Sequence, residues 1–182
     1  MATFLTSLPA SAADPTVPHL VLVGLAGAGK TTVGQLLAEA LGRSFLDFDA
    51  EITRRLGMSI PEIFGQRGEG FFREQETALT GELRELGGMV LSPGGGWLSS
   101  GENRALLCPP GRLIYLKVSP DVAIHRMGSA TAGRPLLNRP DPRGELERLL
   151  QSRRELYEAA EIVVSVDHID AKRVSERILE KL

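Results

Sequence analysis

The segment Gly24-Leu-Ala-Gly27-Ala-Gly29-Lys30-Thr31 constrains this chain more than any other feature. It matches G-x-x-x-x-G-K-[ST] and lies between an apolar run ending at Val23 and a helical pattern opening near Val33. Glycines let consecutive backbone N–H groups approach phosphate oxygens with no Cβ in the way, and a helix N-terminus adds partial positive charge. Gly27, Ala28, Gly29, Lys30, Thr31 and Thr32 are therefore the candidate nucleotide-binding residues. Lys30 can reach the β- and γ-phosphates, and the Thr31 hydroxyl can ligate Mg²⁺. The plainer alternative is a glycine-rich turn with an incidental lysine, and the strand–loop–helix context disfavours it.

The rest of the chain agrees with that context. Short β-rich apolar runs alternate with longer helical patterns, which points to βαβ units and a parallel sheet. The candidate strands are His19–Val23, Ser44–Phe48, Met89–Leu91, Leu113–Val118 and Ile162–Val166. Val33, Leu36, Leu37, Ala40 and Leu41 predict one apolar helical stripe, ended by Gly42. Ser59-Ile-Pro-Glu62 predicts a capping box on a short helix reaching Phe64. Ser119-Pro120 opens another helix, and helices are predicted from Pro142 to about Ala160 and from Asp170 to Leu182. Between Gly128 and Pro142, five of 15 residues are Gly or Pro, which predicts a long loop.

Composition excludes several functions. The 182 residues suit one domain, and 21 basic against 23 acidic residues give a net charge of −2. Neither a nucleic-acid surface nor a polybasic membrane anchor is expected from that balance. A lone Cys108 cannot form an internal disulfide, and His19, His125 and His168 have no metal-ligand spacing. No apolar run is long enough to span a bilayer. Residues 1–18, rich in Ala, Ser, Thr and Pro, read as a disordered tail without the features of a secretory signal, so a cytoplasmic location is expected.

Beyond the phosphate loop, acids and arginines cluster at strand ends and on helices. Asp47 and Asp49, read as strand residues, fall on one face and project toward the loop. One can hold Mg²⁺ through water and the other can accept a proton from an acceptor hydroxyl; alternatively, both merely cap the next helix. Arg73 and Glu76 share a helix face, either as a surface ion pair or as a carboxylate-gripping guanidinium held in place by Glu76. Gly94-Gly95-Gly96 is either a flexible turn or a backbone that a ligand approaches closely.

Taken in order, the phosphate loop, Asp47-Phe-Asp49, Phe72-Arg73-x-x-Glu76, Gly94–Gly96, Arg134-Pro-Leu-Leu137 and Arg153-Arg-Glu-Leu-Tyr157 resemble the shikimate kinase family of P-loop kinases. The resemblance spans His19 to Leu182. It implies a three-layer α/β/α P-loop NTPase fold, with five parallel strands in the order 2-3-1-4-5 and a lid at about residues 128–141. The acceptor would bind around residues 49–77. The activity implied is ATP- and Mg²⁺-dependent phosphorylation of the shikimate 3-hydroxyl, a step toward chorismate and the aromatic amino acids. By the same resemblance, Asp49 contacts the acceptor hydroxyls as base or orienting group, and Asp47 lies near Mg²⁺. Arg73, supported by Glu76, and Arg153 bind the carboxylate, while Gly94, Gly95 and Gly96 line the acceptor site. Arg134 closes over the phosphates beside Lys30, with Leu136 in the pocket. Arg126 stacks on adenine, and Phe64 and Phe72 wall the acceptor pocket.

Two features depart from the family pattern. Trp97 stands where a smaller residue is expected; it either packs beneath the sheet or narrows the acceptor pocket. The lid between Arg126 and Arg134 is about one residue longer than in common versions of the family. Competing readings are another small-molecule kinase such as a gluconate kinase, a ligand-sensing module without catalysis, and an ATP-dependent switch. The Asp47/Asp49 pair with Arg73 and Arg153 favours a cyclic polyhydroxy acid. No apolar stripe is left over for a partner, so a monomer is expected.

Overall fold

The computed structural model describes residues 16–128, 137 and 140–182. Most of the expected tail and lid, including Arg134, Leu136 and most of the stretch between Arg126 and Arg134, lies outside the described residues.

Five strands form one parallel sheet: β1 (Leu20–Val23), β2 (Phe45–Asp47), β3 (Val90–Ser92), β4 (Arg112–Lys117) and β5 (Ile162–Ser165), in the order β2-β3-β1-β4-β5. Every residue of β1 is buried, as a central parallel strand covered on both faces requires. Helix α1 (Lys30–Leu41) packs on α7 (Ala171–Leu179). A separate chain of contacts joins α2 (Phe48–Leu56) to α3 (Ile60–Leu83), α3 to α4 (Gly101–Leu107), and α5 (Pro120–Met127) to α6 (Pro142–Glu158).

Several end signals act as expected. Gly42 ends α1 in the left-handed region, with its N–H returned to the last turn. Ser59 and Glu62 form the capping box, with the Ser59 N–H donating to Glu62 Oε2 at 2.7 Å. Other expectations need correction. The buried face of α1 is Val33, Gly34, Leu37 and Ala38, and Ala40 is exposed. The stripe is rotated because Gly34 lets the helix close onto Phe45 and Leu22, where a Cβ would collide. Likewise, α3 does not stop at Phe64. It runs to Leu83 as two helical segments meeting at Gly68, whose φ of 82° and ψ of 167° are not helical.

Buried His19 fastens α3 to the sheet. The Met89 N–H donates to its Nδ1 at 3.2 Å, which leaves Nε2 to donate to the Leu83 carbonyl at 3.1 Å. Trp97 packs inside: it is fully buried in a 3-10 turn (Trp97–Ser99), edge-on to Phe48, and donates Nε1–H to the Thr80 hydroxyl at 2.9 Å. The packing alternative for Trp97 is the one observed.

Candidate active site

The phosphate loop joins β1 to α1. At Gly27 a φ of +81° is combined with a Cβ position only 2.5 Å from the Ala123 carbonyl of α5, so only glycine fits. The Lys30 amine lies back over the loop and donates to the carbonyls of Gly24 (3.0 Å) and Leu25 (3.2 Å). Ala28 points inward, and its N–H donates to the Leu25 carbonyl at 3.2 Å.

A cleft of about 340 Å³ opens on this loop. Gly27, Gly29, Lys30, Thr31 and Thr32 supply one part of its lining, Asp47, Asp49, Gly94 and Gly95 another, and Arg126 a third, whereas the predicted Ala28, Arg73, Glu76, Gly96 and Arg153 do not line it. Ser92, Pro93 and Met127 also line it and were missed from the sequence. Strand register held the missing signal for Ser92, which pairs directly with Asp47 across β2 and β3.

The two acids reach the cleft by a different route from simple strand alternation. Asp47 ends β2 and caps α2, its carboxylate accepting the Ala50 N–H at 3.2 Å. Asp49 belongs to the first turn of α2 rather than to a strand. Asp47 thus fills the capping role and faces the cleft as well. Thr31 donates its hydroxyl to Asp47 Oδ2 at 2.7 Å, and Ser92 donates to the same oxygen at 3.3 Å. These are hard oxygen donors beside a phosphate loop, a set that fits Mg²⁺ held by one or two protein groups together with phosphate oxygens and water.

The glycine triplet follows β3, and space explains two of its positions. A Cβ on Gly94 would lie 2.6 Å from Glu76 Oε1 and 3.0 Å from Asp49 Oδ1. One on Gly96 would fall on the Arg73 guanidinium. Gly95 offers its carbonyl to Arg153 Nη1 of α6 at 2.8 Å. The turn therefore gathers two arginines and two carboxylates beside the phosphate cleft.

Arg73 and Glu76 are no surface pair. Glu76 is fully buried on α3 and accepts from Arg73 Nη1 at 2.5 Å. Burial pushes the Glu76 carboxyl up, against the downward pull of Arg73, and neighbouring Asp49 and Glu69 add to the upward push. Burial disfavours the Arg73 cation, but its attraction to Glu76 and Glu69 prevails and holds it above its ordinary value. Phe72 is buried in the core against Phe64, ring centroids 5.3 Å apart, and neither ring lines the phosphate cleft. Arg126, in the last turn of α5, lines the cleft while donating to the Val166 carbonyl at 2.5 Å.

A sequence model of the family described as shikimate kinase matches residues 26–182. The chain belongs to the shikimate kinase family. Among shikimate kinases, that of Psychrobacter sp. (strain PRwf-1) is 44% identical over 168 residues, covering 92% of this chain and 93% of the relative. That of Pseudomonas paraeruginosa (strain DSM 24068 / PA7) is 43% identical over 165 residues, covering 90% and 95%. The solved shikimate kinase from Acinetobacter baumannii in complex with shikimate superposes with a TM-score of 0.86 at 40% identity, covering 92% of this chain and 93% of that one. The strand order implied by the resemblance to shikimate kinases is the order found.

Proposed function

We propose that this chain transfers the γ-phosphoryl group of ATP to the 3-hydroxyl of shikimate, giving shikimate 3-phosphate and ADP on the way to chorismate. The observation that carries this reading is the Gly94–Gly96 turn, which sets Asp49, Arg73 and Arg153 beside the phosphate-loop cleft. A compact acid with ring hydroxyls suits that set: two guanidiniums for its carboxylate and a carboxylate for its hydroxyls.

In this reading the phosphate loop and Lys30 hold the triphosphate, with Arg126 at the adenine. Thr31, and Asp47 through water, hold Mg²⁺, which neutralises phosphate charge when bound. Arg73 and Arg153 fix the acceptor carboxylate, aligning the hydroxyl oxygen for attack on the γ-phosphorus. Asp49 orients that hydroxyl and takes its proton as the bond from the γ-phosphorus to the bridging oxygen of ADP breaks. Arg134 and Leu136, outside the described residues, are assigned to the closing lid and the acceptor pocket. Phosphoryl transfer depends chiefly on such positioning and charge stabilisation.

The enzyme is read as a cytoplasmic monomer. Among the described residues no helix is long and apolar enough to cross a membrane, and Leu182 is the only exposed large apolar side chain.

The test is ADP release with Mg·ATP in the presence of shikimate, quinate or gluconate. A rate that depends on shikimate and is absent with the other two is expected. Equal stimulation by gluconate, or none by any of them, would contradict the reading. Gly96→Ala tests the turn itself. Gly96 has φ −88° and ψ −14°, which any residue adopts, so the added Cβ acts only by displacing Arg73. A rise of about tenfold or more in the shikimate KM is expected, the loss of one charge-assisted hydrogen bond. Nucleotide affinity should be unchanged, and an unaltered KM would show that Arg73 does not need this place.

A further inference from the structure

Arg73 has a second acidic neighbour that the sequence pattern did not single out. Glu69 stands one turn earlier on α3, directly after the break at Gly68. Its Oε1 accepts from Arg73 Nη2 at 2.8 Å and from Nε at 3.2 Å. A guanidinium carries five N–H donors, and its Nε/Nη2 edge is one of the sites where a carboxylate docks side by side on two of them. In this structure Glu69 occupies that edge, while Glu76 takes Nη1.

The two acids differ in how readily they let go. The Glu76 side chain is 0% exposed and has no water to retreat to; the Glu69 side chain is 50% exposed. An exposed i,i+4 pair is weak and can be exchanged, whereas a buried partner is costly to remove.

We propose that Glu69 is a resident competitor for the substrate carboxylate: it holds the Arg73 edge in the free enzyme and is displaced when the acceptor binds. It sets how tightly a carboxylate is held at Arg73 and touches none of the reacting atoms. Any carboxylate that docks on this edge of Arg73 must displace Glu69, which lowers the affinity of all of them by a common factor. Shikimate, held also by Arg153 and through its hydroxyls, overcomes the competition. This inference rests on the reading of Arg73 as a carboxylate-binding residue.

The experiment is steady-state kinetics of Glu69→Gln at saturating Mg·ATP. The shikimate KM is expected to fall about two- to fivefold, with kcat within about twofold of the wild type. Cyclohex-1-ene-1-carboxylate, a carboxylate probe without the ring hydroxyls, should inhibit more strongly by a similar factor. Inhibition by shikimate methyl ester, which has no carboxylate, should not change. A shikimate KM that is unchanged or raised would overturn the proposal, as would equal gains for the acid and the ester. Arg73→Met separates this inference from the reading beneath it. If Arg73→Met leaves the shikimate KM unaltered, the carboxylate role of Arg73 fails. If it raises the KM but Glu69→Gln does not lower it, the competitor role alone fails. In the double variant, Glu69→Gln should have no further effect on KM.

Discussion

Asp49→Asn is expected to lower kcat by about 10²- to 10⁴-fold, the range for losing a positioned general acid or base. Asparagine keeps the size and most of the hydrogen bonding of aspartate, but it cannot take up the proton released by the acceptor hydroxyl. The substitution sits in the first turn of α2, whose cap is Asp47, so the helix end stays capped. Folding stability should change little. Asp49 pushes the buried Glu76 carboxyl up, and relief of that repulsion opposes the loss of an acid from the first turn of α2. A melting temperature close to that of the wild type would separate a chemical loss from misfolding. ATP affinity, measured by calorimetry, should move by less than about threefold, since Asp49 is not among the groups assigned to the phosphates. A kcat within about threefold of the wild type would remove Asp49 as base or orienting group.

The second large effect is expected at Arg153→Ala. Its guanidinium is set against the glycine turn by the bond from Nη1 to the Gly95 carbonyl at 2.8 Å. Loss of a hydrogen bond to a charged group costs about 1.5–3 kcal/mol, which corresponds to roughly a tenfold to hundredfold rise in the shikimate KM. Arg154, the next residue, provides the control. It pairs with Glu158 at the surface, their side chains 60% and 44% exposed, so Arg154→Ala should change KM by less than about twofold. An Arg153→Ala enzyme with wild-type kinetics toward shikimate would end its assignment to the carboxylate.

Much of this architecture could be read from residues alone because local and global preferences agree. The buried strands are continuous apolar runs, and Gly42 and the Ser59–Glu62 box mark helix ends where the helices do end or begin. The misreadings arose where one residue serves two purposes. Asp47 is both a strand end and a helix cap, so Phe48 and Asp49 looked like strand when they open α2. Gly65, Gly68 and Gly70 made α3 look shorter than it is; only Gly68 breaks it, and packing carries the helix on to Leu83. Arg73 and Glu76 were legible as a pair, but nothing in their spacing told that Glu76 is buried. That depends on Gly94, 18 positions after Glu76 in the chain, leaving room for its carboxylate. Glu69 was overlooked because the i+3 acid took precedence over the i−4 acid on the same helix. In the folded helix both acids meet on one guanidinium.

The most direct test of the central claim is to identify the product by phosphorus NMR. Purified protein, Mg·ATP and shikimate should yield ADP and one new phosphomonoester resonance, coupled to the proton on C3 of the ring. No new ester, inorganic phosphate alone, or an ester coupled to a proton at another ring position would contradict the placement of acceptor and phosphoryl group argued from Asp49, Arg73 and Arg153.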